Sequence, residues 1–248
     1  MEEFSGEELC EERMRAVMEN VCRAWKLWSE LWELRKMRPS PVANISTLLA
    51  DATRIMWWGT EKAVEIMQAL VDAAKSRLEK GSYTAEELAR CFWVWGWYLT
   101  DLYGTFNWLE ERGVTVLGWV QSIQFMPEVD MSSRESVTRM LSELAFDMPM
   151  VRQTGASSMS VQWLDDIICI VRELGVDCAI YNGYHACKSA AGTAALFRRE
   201  LMKRAGVPTL SLPGGPFDKR MTPISMVQEQ IVEFLNNVVL KGRGRISA

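Results

Sequence analysis

The sequence holds a single histidine, His185, and its six cysteines form no CxxC pair. Such spacing excludes a zinc knuckle and the disulfide scaffold of a small secreted domain. Neither GxGxxG nor GxxxxGK[ST] occurs, so a self-contained nucleotide site is not expected. No long Lys/Arg run is present and the net charge is -4, which removes the electrostatic footprint of a nucleic-acid binder. Only the tail "KGRGRIS" is locally basic, and it reads as a solvated terminus. Uninterrupted apolar runs stop short of the roughly 18 residues of a membrane span. The opening "MEEFSGEELCEER" lacks the basic n-region and apolar core of a signal peptide. A cytoplasmic protein with no membrane or nucleic-acid partner is therefore expected. Internal repeats and low-complexity tracts are also missing.

What is abundant is apolar surface. Of 248 residues 48% are hydrophobic, and 11 Trp and 15 Met stand out. That is ample for a buried core. In "EELCEERMRAVMENVCRAWKLWSELWELRKM", Met14, Val17, Val21, Trp25, Trp28 and Trp32 fall near one face of a helix, with Glu and Arg opposite. So broad a stripe is more than one thin helical layer needs, and much of it is expected to dock another chain. The helix should stop at "RPSPVANIS", where Pro39 and Pro41 cannot continue it. A second helical block runs from about Ile45 to Leu78, broken near Gly59, and "EKGSY" marks a turn.

Beyond residue 82 strands and helices alternate. A short helix is predicted around Ala85 to Ala89, then a buried strand in "CFWVWGWYL", a helix in "TFNWLEERG" and a strand in "VTVLGWV". Serine-capped "SSRESVTRMLSELAF" and then "SMSVQWLDDIICIVRELG" read as helices, the latter ending at Gly175. "VDCAIYN" and "VPTLSLP" are strands, separated by the helix "SAAGTAALFRRELMKRAG" and followed by "PISMVQEQIVEFLNNVVL". The fold class is thus α/β: a helical segment over 1–82, then over 83–248 a Rossmann-like (flavodoxin-like), mostly parallel sheet with helices on both faces. In such sheets ligands collect beyond the carboxyl ends of the strands. The segments "GWYLTDLYGT", "NGYHACKSAAG" and "PGGPFDKRMT" should therefore meet at one rim.

Within "NGYHACKSAAG", Cys187 precedes a helix opening at Lys188, so its sulfur is placed near free backbone N–H groups and the positive end of the helix dipole. Both favour a thiolate. A metal ligand, a nucleophile and a small residue filling a tight turn all fit that position. His185, two residues away, fits a turn residue bonded to backbone better than a Cys-His dyad. Asp218 and Arg220 on the last rim loop can grip a ligand or pair with each other. Cys169 and Cys178 fall within apolar patterns and are expected in the core. Cys10 and Cys22 are too far apart on the first helix to share a metal.

From "VQWLDDIICIVRELG" to "VEFLNNV" the sequence resembles the C-terminal domain of 2-hydroxyacyl-CoA dehydratase and benzoyl-CoA reductase subunits. The resemblance rests on "GVD" at 175–177, Cys187, "GVP" at 206–208, Asp218 with Arg220, and "VEF" at 232–234. Upstream, "LWSELWELRKMRPSPVANISTLLA" is similar to the family's central helical segment. The resemblance implies an iron–sulfur cluster, usually [4Fe–4S], with Cys187 as the last of three ligand cysteines. It implies a heterodimer receiving single electrons from an ATP-hydrolysing iron–sulfur activator, and an acyl-CoA substrate reduced at its thioester to a ketyl radical. Dehydration and aryl-CoA reduction both follow from such chemistry. Lys188, Ser189, His185, Asp218 and Arg220 become candidates for contacts to cluster or substrate. Family subunits carry an N-terminal domain with the first two ligand cysteines, which Cys10 and Cys22 do not match. The remaining ligands are therefore expected from a missing N-terminal portion or a sister subunit. The loop "LPGGPFD" replaces the more acidic loop of many relatives. A subunit that has lost the cluster and keeps only a role in assembly is the alternative.

Overall fold

A computed structural model describes residues 2–96, 101–119, 122–123, 129–147, 159–184, 187–215, 217–242 and 244–247. After a single turn, α1 (Glu2–Ser5), come three helices, α2 (Glu11–Lys36), α3 (Asn44–Trp57) and α4 (Glu61–Lys80). Then follow β1 (Ala89–Trp93), α5 (Leu102–Glu111), β2 (Val114–Trp119), α6 (Arg134–Asp147), α7 (Leu164–Glu173), β3 (Cys178–Tyr184), α8 (Lys188–Ala205), β4 (Thr209–Gly214) and α9 (Ile224–Phe234). A π-turn leads into α7 at Met159–Trp163 and another extends α9 over Leu235–Val239. The four strands are all parallel, in the order β2-β1-β3-β4. That is the flavodoxin-like order, with its reversal between β1 and β3. None of the described helices is long and apolar enough to cross a membrane.

Alternating strand residues divide the core. Phe92, Ala179 and Tyr181 face α7 and α8, whereas Cys91, Trp93, Cys178 and Ile180 face α3, α5 and α9. Both sheet faces are covered, so the strands read as nearly continuous apolar runs. A third cluster lies among the first helices: Trp25, Trp28 and Leu31 pack against Met67, Leu70, Val71 and the half-buried Trp58. The tryptophan stripe expected to dock another chain is therefore largely covered by the chain's own α3 and α4. Trp25 and Trp28 meet Trp58 edge-on at 5.5 and 6.3 Å. Trp58 lies in the break between the two helices, so periodicity within α2 could not announce it.

The predicted short helix at 85–89 does not form. Glu87 and Arg90 have helical i, i+3 spacing, but their side chains serve distant groups. Arg90 donates to Glu87 Oε1 (2.8 Å), to the Lys36 carbonyl (3.2 Å), to the Leu174 carbonyl (3.0 Å) and to the Met37 carbonyl. Glu87 in turn accepts from the Ser40 N–H (2.9 Å) and the Thr115 hydroxyl (2.8 Å). The backbone N–H groups of Leu88 and Ala89 go to Gly113 O, at 2.8 and 3.2 Å, rather than to a helical carbonyl. Gly113 sits at φ 72°, and a Cβ there would lie 2.2 Å from Glu86 O, so this turn admits only glycine. Cys169 also departs from expectation: it is exposed on α7, sharing the outer face with Asp165 and Arg172 while Ile168 and Ile170 face the core.

Asn44, the first residue of α3, joins the helical segment to the edge of the sheet. It is only 1% exposed. Its Nδ2 donates to Val114 O (2.8 Å) and Phe106 O (3.2 Å), and its Oδ1 accepts from Val116 N–H (2.7 Å). The side-chain amide thus behaves as one residue of a further strand alongside β2. Replacing it by alanine orphans the buried Val114 carbonyl and Val116 N–H, each at a cost of about 1–3 kcal/mol, while Phe106 O keeps its partner within α5. Asn44→Ala is expected to destabilise the protein by about 2 kcal/mol or more in urea unfolding. A loss under about 1 kcal/mol, the worth of one ordinary hydrogen bond, would contradict this account.

Candidate functional site

Because all strands are parallel, their carboxyl ends share one edge, and the reversal of strand order places a crevice between the ends of β1 and β3. The residue that occupies it is Tyr184, the last of β3. Its ring lies so close to Gly96, three residues past β1, that a Cβ added to Gly96 would stand 1.7 Å from the tyrosine hydroxyl. On its other side Tyr184 meets Phe217 of the loop after β4, with ring centroids 6.4 Å apart. Burial pushes the Tyr184 hydroxyl up to about 12, so it keeps its proton at neutral pH. One aromatic side chain therefore joins the three segments expected to converge at the rim. Sequence reading passed over Tyr184; the one available signal was an aromatic residue at a strand end with a glycine at the end of the neighbouring strand.

Cys187 is the N-cap of α8, an 18-residue helix. Its N–H donates to Tyr184 O (2.9 Å) and its carbonyl accepts from Ala191 N–H (3.0 Å). The thiol makes no cap hydrogen bond. At this position Ser, Thr, Asp or Asn contributes about 1 kcal/mol, a contribution the cysteine forgoes. Its half-buried sulfur packs against the edge of the α7–α8 core. Below it, Tyr181 donates to Ala190 O (2.7 Å) and pairs with the Thr193 hydroxyl (2.9 Å), pinning the first turn of α8 to the strand. Tyr181 is pushed up to about 12, chiefly by burial.

Lys188 and Ser189 open α8 and are exposed beside Cys187. His185 lies outside the described residues. Asp218 and Arg220, placed to grip a ligand or each other, grip each other: Arg220 donates to the two carboxylate oxygens at 3.0 and 2.7 Å, and its backbone N–H adds a third bond at 2.9 Å. These bonds from Arg220 hold the Asp218 carboxyl below its ordinary value. The other cysteines lie elsewhere. Cys91 and Cys178 are buried opposite each other on β1 and β3, and the neighbouring Cys91 thiol together with burial pushes Cys178 well above the ordinary thiol range. Among the described residues no three His, Cys, Asp or Glu side chains are grouped to hold a metal ion.

Against known families, residues 1–238 match the family described as 2-hydroxyglutaryl-CoA dehydratase, D-component. The chain belongs to that family. No curated protein matches it. Membership agrees with the order of strand, cysteine, helix and Asp-x-Arg loop, and makes the chain a component of a 2-hydroxyacyl-CoA dehydratase system. The described residues of this D-component do not by themselves fit a four-iron cluster, since they bring one cysteine to the rim and no further ligand set.

The contact between Gly96 and Tyr184 can be tested without a substrate. Gly96→Ala drives a methyl group into the tyrosine ring and is expected to cost about 2 kcal/mol in urea unfolding, the usual scale of overpacking. Tyr184→Ala removes the obstacle, so the double variant should be less destabilised than the two single losses summed. Additive losses would place the strain elsewhere.

Proposed function

We propose that this D-component acts in the cytoplasm as part of an iron–sulfur acyl-CoA dehydratase, with Cys187 giving one thiolate to a cluster completed by cysteines of a partner portion or sister subunit. The observation that carries the reading is the cap of α8: a half-buried thiol, free of any cap bond, at the positive end of a long helix and beside the crevice of the sheet. The positive end of the helix suits a metal-bound sulfur, and Lys188 is placed to offset the negative charge of cluster or thioester. In such a system an ATP-hydrolysing activator would supply single electrons through the cluster to the CoA thioester. The family description favours loss of the 2-hydroxyl over aromatic ring reduction.

A second reading is a cluster-free assembly subunit. Tyr184, lodged against Gly96 in the crevice, favours it, as does the presence of one cysteine at the rim among the described residues.

Anaerobic co-expression with the neighbouring genes, purification of the complex and an iron count decide between them. Cys187→Ser should leave folding intact, or raise stability by about 0.5–1 kcal/mol through a serine cap, while iron falls sharply. Iron undiminished in that variant would sink the ligand assignment. A well-folded wild-type complex with no iron would favour the assembly role.

A further inference from the structure

A groove of about 380 Å³ runs along β4, at the margin of the sheet opposite β2. Arg198 and Met202 of α8 line one side, Phe234 and Val238 from α9 and its extension line the other, and residues 208–211 form the floor. Met202 is 58% exposed and Val238 51%, so the walls turn apolar surface to solvent. Arg198 is exposed as well and forms no ion pair among the described residues.

The floor carries main-chain groups with nothing to bond. Ala179 N–H donates to Pro208 O at 2.9 Å, and Ala179 lies beside Thr209 in the parallel pairing of β3 with β4. In such a ladder alternate residues of one strand serve its neighbour. Leu210 and Leu212 therefore turn their N–H and C=O groups to β3. Those of Thr209 and Ser211 point to the open margin, where they have no partner among the described residues. An extended chain lying in the groove would take them up, as in β-augmentation.

The segment before α2 has the matching chemistry. Residues 3–13 are all exposed, and the Phe4 ring stands 93% exposed. The single turn α1 is too short to be a stable helix unaided. Drawn out as a strand, residues 3–7 place Glu3, Ser5 and Glu7 on one face and Phe4 with Gly6 on the other. The groove is divided in the same way, with the Arg198 cation on the α8 side and Leu210, Phe234 and Val238 on the α9 side. Within the single chain none of residues 3–7 lines the groove.

We propose that residues 3–7 of a second copy of this chain add as a strand to β4, with Phe4 against the α9 wall and Glu3 and Glu7 toward Arg198. Reciprocal exchange of the two segments closes a two-fold dimer. Charge selects this occupant over β4 of the second copy, because antiparallel pairing of the two β4 strands would bring both Arg198 side chains to the same face of the joined sheet. The proposal is independent of the cluster assignment and stands whether or not Cys187 binds iron.

Sedimentation equilibrium of the full chain over a concentration series tests it. Reversible dimerisation in the micromolar range is expected. Phe4→Ser and Arg198→Glu, both surface changes in the single chain, should each weaken the dimer at least about tenfold and leave the melting temperature of the monomer unchanged. Glu3→Lys with Glu7→Lys should restore association to the Arg198→Glu chain, a rescue that a purely structural role for Arg198 would not give. Ser211→Pro removes an outward N–H without touching the bonds to β3 and should abolish the dimer. Should that variant not fold, the charge exchange decides. A chain that stays monomeric at high micromolar concentration, a dimer indifferent to Phe4→Ser or Arg198→Glu, or an absence of rescue would overturn the proposal.

Discussion

The ion pair between Arg90 and Glu87, both almost wholly buried, fixes the geometry of the molecule. An isolated buried charge would cost several kcal/mol, so the guanidinium is satisfied on every side. Besides Glu87 it takes up the last carbonyls of α2, at Lys36 and Met37, and that of Leu174 after α7. Those are orphan acceptors of two helix ends, which a cation suits electrostatically. Asp177 reinforces the same corner, accepting from the Arg90 N–H at 2.8 Å and from Arg38 at 2.6 Å. Helical segment, β1 and β3 are thus tied together at the amino-terminal edge of the sheet.

That concentration of bonds leaves the opposite edge for chemistry. At the carboxyl ends Tyr184 packs against Gly96 and Phe217, Asp218 and Arg220 pair with each other at the surface, and a cysteine stands where a capping serine would serve stability better. One edge is built around a buried ion pair, and the other, whose ion pair is exposed, forgoes stability at its helix cap. A division of that kind accords with a site that has to receive groups from outside the chain.

Much of this was legible because local signals agreed. Glycines at 81, 113, 175 and 206 ended helices, and the alternation of strand and helix led to the parallel sheet. The order of strand, cysteine and helix put Cys187 at the cap. What escaped was everything settled at long range. Glu87 and Arg90 look helical by spacing and are recruited by partners from residue 36 to residue 174. The tryptophan stripe is genuine, but the surface that covers it comes from helices of the same chain. Cys169 looked buried because its neighbours are isoleucines, although its angular position sets it with Asp165. Asp218 and Arg220 had two outcomes open, and geometry chose their mutual pair. His185, which had drawn attention as the lone histidine, lies outside the described residues.

Asn44 has a consequence for how the chain associates. A parallel sheet with an exposed margin invites another polypeptide to add a strand, in productive assembly or in aggregation. By pairing with Val114 and Val116 as a strand would, the Asn44 amide blocks that recruitment on the β2 side. The other margin of the four-stranded sheet, β4, has no such side chain paired with it among the described residues. A partner joining by strand addition would therefore meet less competition at β4 than at β2, giving the sheet a preferred direction of growth.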